Sequence, residues 1–216
     1  MAKILVFGEI SHDNVKNVTF EILGRLTGHQ VDVATIGKTP AGAVSQLAKF
    51  GAQNIHALTG ANLDKYSSDG WSKALHDLIS KNSYDYVFSG ATSCGKDLMP
   101  RLAGMFNAGM ASEVTNFLFE GETFQGTRPL YAGKCYAKVE LTGPRPHFVT
   151  VRPNALGLNE KPTAGAGKVD EVAVNAGNIR SIVHEIIKGT SNKVDLTEAT
   201  IIVSGGRAMK NSENFK

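Results

Sequence analysis

The sequence predicts an α/β fold: a mostly parallel sheet flanked by helices, with an added antiparallel portion and the opening of a second domain behind it. Three observations carry that prediction. Short apolar runs alternate with stretches of helical spacing through the first half of the chain. After Ala111 the runs crowd together, separated by glycine and proline. Near the C-terminus a fresh β-branched run meets a double glycine in IIVSGGR, so the alternation starts again.

The elements follow in order. Ile4 to Phe7 is a buried-strand run, and Val15 to Leu26 carries Val15, Val18, Ile22 and Leu26 near helical spacing. Val31 to Ile36 is a second strand stopped by Gly37, after which Pro40 suits the first turn of a helix reaching Phe50. Ile55 to Leu58 is a short strand. Ser68 or Asp69 then caps a helix bearing Trp71, Leu75, Leu78 and Ile79. Tyr84 to Phe88 is a strand, and Asp97 to Phe106 a helix after the turn at Gly95. Such β-α repetition argues for a parallel sheet covered on both faces.

Beyond it, Glu113 to Phe119, Thr123 to Leu130, Tyr131 to Leu141 and Phe148 to Val151 read as short strands, more like antiparallel pairs. Lys161 to Lys168 (KPTAGAGK) is a loop by composition. Ile179, Ile182, Val183, Ile186 and Ile187 fit helical spacing, so residues 178–188 are open between helix and strand on pattern alone. The expected division is a first domain over 1–191, then a linker and the start of a second over 192–216. Asn192 to Thr197 reads as the linker.

Composition narrows the class. At 216 residues and 42% hydrophobic content the chain can bury a sizeable core. A net charge of +3 from scattered lysines and arginines argues against a nucleic-acid partner. Cys94 and Cys135 make no disulfide framework, and no metal-ligand spacing occurs. No apolar run reaches membrane-spanning length. Met1-Ala2-Lys3 runs straight into the first strand, so the expectation is a bacterial cytoplasmic protein with no direct membrane insertion.

The segment Ile201 to Lys216, IIVSGGRAMKNSENFK, carries the chemistry. Ile201, Ile202 and Val203 run into Ser204, Gly205, Gly206 and Arg207. Two adjacent glycines let a backbone approach a ligand closely, and Ser212 or Asn214 opening a helix would aim free N–H groups at the same turn. Ligands of open α/β sheets sit at the carboxyl ends of strands, where this turn falls. Arg207 adds a planar, permanent charge suited to stacking or to gripping an anion.

The bland readings stand beside it. The same four residues can be a turn with no ligand, and the phosphate loop S-G-G-x-D-S is not met, because Ala208 and Met209 follow Arg207. Gly60, Gly90 and Gly95 follow strand ends and could cradle a nucleotide, although a lone glycine there is more often a turn. The histidines (His12, His29, His56, His76, His147, His184) show no paired spacing and read as surface or core residues. Cys94 reads as a structural thiol. Lys96, Asp97 and Arg101 could pair along one helix face.

VSGGR followed by KNSENFK resembles the opening of the FAD domain in the alpha subunit of electron-transfer flavoproteins. KILVFGE at the N-terminus, Ser89 to Phe117, Thr127 to Glu140 (TRPLYAGKCYAKVE) and Phe148 to Gly157 (FVTVRPNALG) are similar to family segments in the same order. Ala208 stands where the family usually has glycine, and Lys134-Cys135 replaces a small polar pair. The resemblance implies a Rossmann-like, adenine-nucleotide-hydrolase-like first domain that serves as scaffold and docks a beta subunit. It implies an extended strand over 178–188 and a truncated second domain.

It further implies electron carriage and not enzyme catalysis. Dehydrogenases such as those acting on acyl-CoA in fatty acid beta-oxidation would be the donors, and a membrane quinone reductase or another acceptor would follow. FAD is the implied cofactor, held mostly by the part of the second domain beyond Lys216, with AMP expected in the beta subunit. Arg207 matches the family arginine over the flavin ring, and Ser204, Gly205 and Gly206 shape the turn that places it. Two other classes stay open: a stand-alone adenine-nucleotide-binding module and a pure subunit-docking scaffold.

Overall fold

The computed structural model describes residues 1–11, 13–160, 165–181, 183, 185, 199 and 201–215. It divides into two compact units, Met1–Glu185 and Ile186–Lys216. The expected boundary at 191/192 and the linker Asn192 to Thr197 lie outside the described residues.

In chain order the first unit runs through β1 (Lys3–Phe7), a small hairpin of β2 (Ile10–Ser11) and β3 (Asn14–Val15), α1 (Asn17–Arg25), β4 (Gln30–Ile36), α2 (Ala41–Lys49) and β5 (Asn54–Thr59). It continues with α3 (Ser68–Asn82), β6 (Tyr86–Gly90), α4 (Ser93–Met105), β7 (Met110–Val114), β8 (Asn116–Glu120) and β9 (Thr123–Leu130). A short turn of 3-10 helix (Tyr131–Gly133) leads to β10 (Cys135–Glu140), β11 (His147–Val151) and β12 (Lys168–Ala173).

Seven strands form one sheet in the order β12-β5-β4-β1-β6-β11-β7, and every neighbouring pair is parallel. Parallel strands are buried on both faces, which is why their central members read as unbroken apolar runs. Ile4, Leu5 and Val6 of β1 are fully buried. One face packs with α1 and α2 through Val18, Ile22, Leu23, Ala43 and Leu47. The other packs with α3 and α4 through Leu75, Leu78, Ile79, Leu98, Met99 and Leu102.

β8, β9 and β10 form a separate antiparallel sheet. Its inner face lays Phe117 and Phe124 over the parallel sheet on the α1 side, where they meet Tyr86 and Phe88 at ring separations of 5.1 to 6.1 Å. Tyr86 also ties the two sheets by hydrogen bonds: its hydroxyl donates to the Glu122 carbonyl at 2.9 Å and accepts from the Phe124 N–H at 3.3 Å. Glu21, a buried acid on α1, accepts from the backbone N–H groups of Asn154 (2.9 Å) and Leu156 (3.0 Å), binding the chain beyond β11 to that helix.

Several expectations change. Phe148 to Val151 is not antiparallel; it lies between β6 and β7 inside the parallel sheet. Glu113 to Phe119 is not one strand. The backbone turns left-handed at Glu113 (φ 57°), so β7 joins the parallel sheet and β8 the antiparallel one. Tyr131 to Leu141 begins as the 3-10 turn and becomes strand only at Cys135. The helix expected from Val15 starts at Asn17, behind the β2–β3 hairpin.

The α3 cap is Ser67, whose hydroxyl accepts from the Gly70 N–H at 3.3 Å, and α4 begins at Ser93 under a like cap from Thr92. Lys168 belongs to β12, an edge strand whose mostly exposed KVDEVA offers no apolar run to read. Ile179 lies in no strand or helix; it packs beside Gly70 of α3. Ile182, Ile186 and Ile187 lie outside the described residues, as do residues 161–164 of the KPTAGAGK loop.

Candidate functional site

The strand order reverses between β1 and β6, so the crevice at their carboxyl ends is where an α/β sheet of this kind takes a ligand. The glycines around it are packed against neighbouring protein. A side chain on Gly95 would collide with the Gly90 carbonyl and the Ser89 hydroxyl, and one on Gly90 would collide with Val18 of α1. Gly60 is likewise pressed against the Val174 carbonyl. These glycines admit neighbouring protein, not a phosphate.

Polar groups pair with one another at the same crevice. The Thr92 hydroxyl donates to the Glu9 carboxylate and accepts from the Gly95 N–H at 3.0 Å, while Lys16 stands 3.6 Å from Glu9. Burial, with help from the Glu9 and Asp97 charges, pushes the Cys94 thiol up to about 12, so it is a structural thiol and not a nucleophile. Lys96, Asp97 and Arg101 do not pair along their own helix. They reach Glu113, Tyr66 and Asp69 respectively.

Two charged clusters escaped the sequence reading because their members lie far apart in the chain. Asp69 at the start of α3 meets both Arg101 and Arg180, and the Arg180 side-chain and backbone donors hold its carboxyl well below the usual range. His56 stands between Asp32 (3.9 Å) and Asp170 (3.5 Å), bridging β4, β5 and β12. Burial alone would raise the Asp32 pKa. The nearby His56 and the hydrogen bonds donated by Asn54 and Tyr84 outweigh it and leave the group lowered. Among the described residues no group of histidines, cysteines and acids could hold a metal ion.

In the second unit, Ser204, Gly205, Gly206 and Arg207 are all exposed. Ile201, Ile202 and Val203 form no strand; they are 83%, 55% and 81% exposed. A strand needs a hydrogen-bonding neighbour, and the described part of this unit supplies none. Two 3-10 turns, Arg207–Met209 and Ser212–Asn214, stand where a helix was expected.

The expected turn at Ser204–Gly206 is absent: Gly206 is extended (φ −76°, ψ 176°), and the first turn is the one at Arg207–Met209. Met209 and Phe215 close over Gly205, where a side chain would meet them at 2.6 and 2.7 Å. Gly206 has nothing within 4 Å of where its side chain would stand, so the backbone there is open. Arg207 makes no ion pair among the described residues. An open backbone beside an unneutralised guanidinium suits an anionic or aromatic ligand, though four residues enclose little of a large one.

A seven-stranded parallel sheet flanked by helices, with an aromatic antiparallel sheet on one face, defines a Rossmann-like α/β domain. The chain belongs to the electron transfer flavoprotein domain family, whose model matches residues 4–176. It is 34% identical over 218 residues to the electron transfer flavoprotein subunit alpha of Bacillus subtilis (strain 168), covering 99% of this chain and 67% of that protein. It is 34% identical over 225 residues to the protein FixB of Clostridium saccharobutylicum, covering 99% and 66%. The lactate dehydrogenase (NAD(+),ferredoxin) subunit LctC of Acetobacterium woodii is 26% identical over 216 residues, covering 96% and 51%. The chain thus spans about two thirds of the length of the first two relatives. Among the described residues no helix is long and apolar enough to cross a membrane.

Proposed function

We propose that this chain is the alpha-type subunit of a heterodimeric electron-transfer flavoprotein, its first unit the scaffold that docks a beta-type subunit and its second the start of the FAD domain. The observation that carries this reading is collinear similarity over 99% of the chain to a relative named electron transfer flavoprotein subunit alpha. FAD supplies a reversible electron store when bound. Arg207 would supply a fixed positive charge to the bound ring, favouring negative charge on it, and Ser204, Gly205 and Gly206 would position that charge.

Dehydrogenases, including those acting on acyl-CoA, are the proposed donors, with a membrane quinone reductase as one acceptor and AMP held in the beta-type subunit. A relative named as a lactate dehydrogenase (NAD(+),ferredoxin) subunit keeps other donors and acceptors open beside these. The tight packing of Gly60, Gly90 and Gly95 against neighbouring protein weighs against a stand-alone adenine-nucleotide module.

Co-expression of the full-length protein with its beta-type subunit tests the reading. A yellow heterodimer whose absorbance bleaches on addition of a dehydrogenase and its substrate supports it; a colourless, monomeric product overturns it. Residues 1–216 alone are expected to lose FAD on gel filtration, because one turn buries too little of the cofactor. Retention of stoichiometric flavin by that fragment contradicts the assignment of most FAD contacts beyond Lys216.

A further inference from the structure

His56 is a buried polar residue in an otherwise apolar part of the parallel sheet. It shares the face of Leu58, the side that α3 and α4 cover. Both of its ring nitrogens are buried, and among the described residues neither makes a hydrogen bond. Leaving such atoms unmade costs stability, so their surroundings matter. Nε2 faces the Asp32 carboxylate at 3.9 Å, and Nδ1 faces the Asp170 carboxylate at 3.5 Å.

The charge on both acids is supported from elsewhere. Asp32 accepts from the Asn54 amide at 2.7 Å and from the Tyr84 hydroxyl at 3.0 Å, one donor on each oxygen, which favours the ionised form. The Asp170 side chain is 60% exposed, so water solvates it. A neutral imidazole carries one N–H and one lone pair. Between two carboxylates it can offer a donor to one and must turn its lone pair on the other. Only the doubly protonated ring presents a donor to both.

The other charged groups around the ring leave that choice to His56. The Lys3 ammonium lies 4.9 Å over the Tyr84 ring, and Lys168 stands two residues from Asp170 on the same strand. On α3, Lys73 and His76 pair with Asp77, and Lys81 is exposed. Among the described residues no second cation forms an ion pair with Asp32 or Asp170.

β12 is the strand with most to gain. It is the outermost member of the sheet, and five of its six side chains are exposed. Asp170 stands directly opposite His56 in the β5–β12 ladder, so the ring links this edge to the buried carboxylate two strands further in. Beyond β12 the chain continues to Ala176 and Ile179, which pack beside Gly70 of α3.

We infer that His56 is a proton-operated clasp: protonated, it ties the edge strand β12 through Asp170 to Asp32, and on losing its proton it lets β12 loosen from β5. The inference goes beyond the electron-carrier reading and does not depend on it. The sign follows from the charges. The clasp is closed on the acid side of the ring's titration and opens as pH rises through it, since carboxylates ordinarily lose their protons well below that range.

Hydrogen exchange of the full-length chain, followed by peptide mass between about pH 5.5 and 8, tests the clasp, because imidazole ordinarily changes charge there. Rates are divided by the intrinsic exchange rate at each pH. Protection of β12 is expected to fall about three- to five-fold across the range, the scale of one cross-strand charge pair, while protection of β1 stays level. Asp170→Asn alters an exposed side chain and should flatten the β12 profile. The ring nitrogens of His56, labelled with 15N and recognised by their shift in Asp170→Asn, should show two N–H groups on the acid side and one on the basic side.

A flat wild-type profile, or a β12 that tightens as pH rises, overturns the clasp. An Asp170→Asn profile that matches the wild type overturns the link through Asp170. A His56 ring that keeps a single N–H across the whole range overturns the proton as its operator.

Discussion

Two runs of nearly the same chemistry meet opposite fates. Ile4-Leu5-Val6 is wholly buried in the central strand of the parallel sheet, while Ile201-Ile202-Val203 is exposed and pairs with no strand. Side-chain preference is the same in both, so it cannot be what decides. β1 has β4 on one side and β6 on the other, with helices over both faces. The later run has no such neighbours within the described part of its own unit. A strand is a property of the sheet that receives it, and β-branched residues only make it receivable.

The largest test of that contrast is Phe88→Ala. Phe88 is fully buried among Tyr86, Phe117 and Phe124, so truncation should cost about 3–5 kcal/mol in a urea melt. Gly95→Ala should cost about 3 kcal/mol, since the new methyl has only the Gly90 carbonyl and Ser89 hydroxyl to enter. A neutral result there means the crevice has room after all, and the nucleotide reading returns.

Asp32→Asn comes next, at about 1–3 kcal/mol near neutral pH, because the buried carboxylate accepts from Asn54 and Tyr84. Its pKa is lowered in the fold, so its contribution is present above the ordinary carboxylate pKa and disappears as pH falls below it. Melting the variant beside the wild type from pH 7 to pH 3 should show the two curves converge in acid. At the small end, Ile202→Ser and Arg207→Gln should each move the urea midpoint of residues 1–216 by less than about 0.5 kcal/mol, both side chains being exposed. A larger loss from Ile202→Ser would show that the second run is packed in solution and erase the contrast.

The legible part of the fold was its centre. Apolar runs such as Ile4 to Phe7 and Val31 to Ile36 announced buried strands, and the helical spacing of Leu75, Leu78 and Ile79 announced α3. The edge was not legible. β12 exposes most of its side chains, so Lys168–Ala173 carries polar residues that read as loop. β11 was assigned an antiparallel setting because it follows hairpins, although its pairing with β6 and β7 is set by tertiary packing.

At the candidate site, Ser204 to Arg207 stands out by its glycine and arginine chemistry and by family resemblance, but the chain is extended up to the 3-10 turn that begins at Arg207. Its detail depends on Met209 and Phe215 folding back over Gly205, which no local pattern records. The Asp69–Arg101–Arg180 and Asp32–His56–Asp170 clusters were invisible for a similar reason, since each joins residues more than thirty positions apart.

Glu21 sets a timetable for the nascent chain. Its carboxylate is buried on α1, yet the backbone donors that receive it sit 133 and 135 residues later in the sequence. At ribosomal speeds of about 5–20 residues per second, α1 waits on the order of ten seconds for those donors to be synthesised. Through that interval the acid has only water for a partner, so the helix cannot settle against the sheet without stranding a charge. Final closure of this face thus falls after β11 has emerged, and Glu21 keeps the early half of the domain from committing before its late strand arrives.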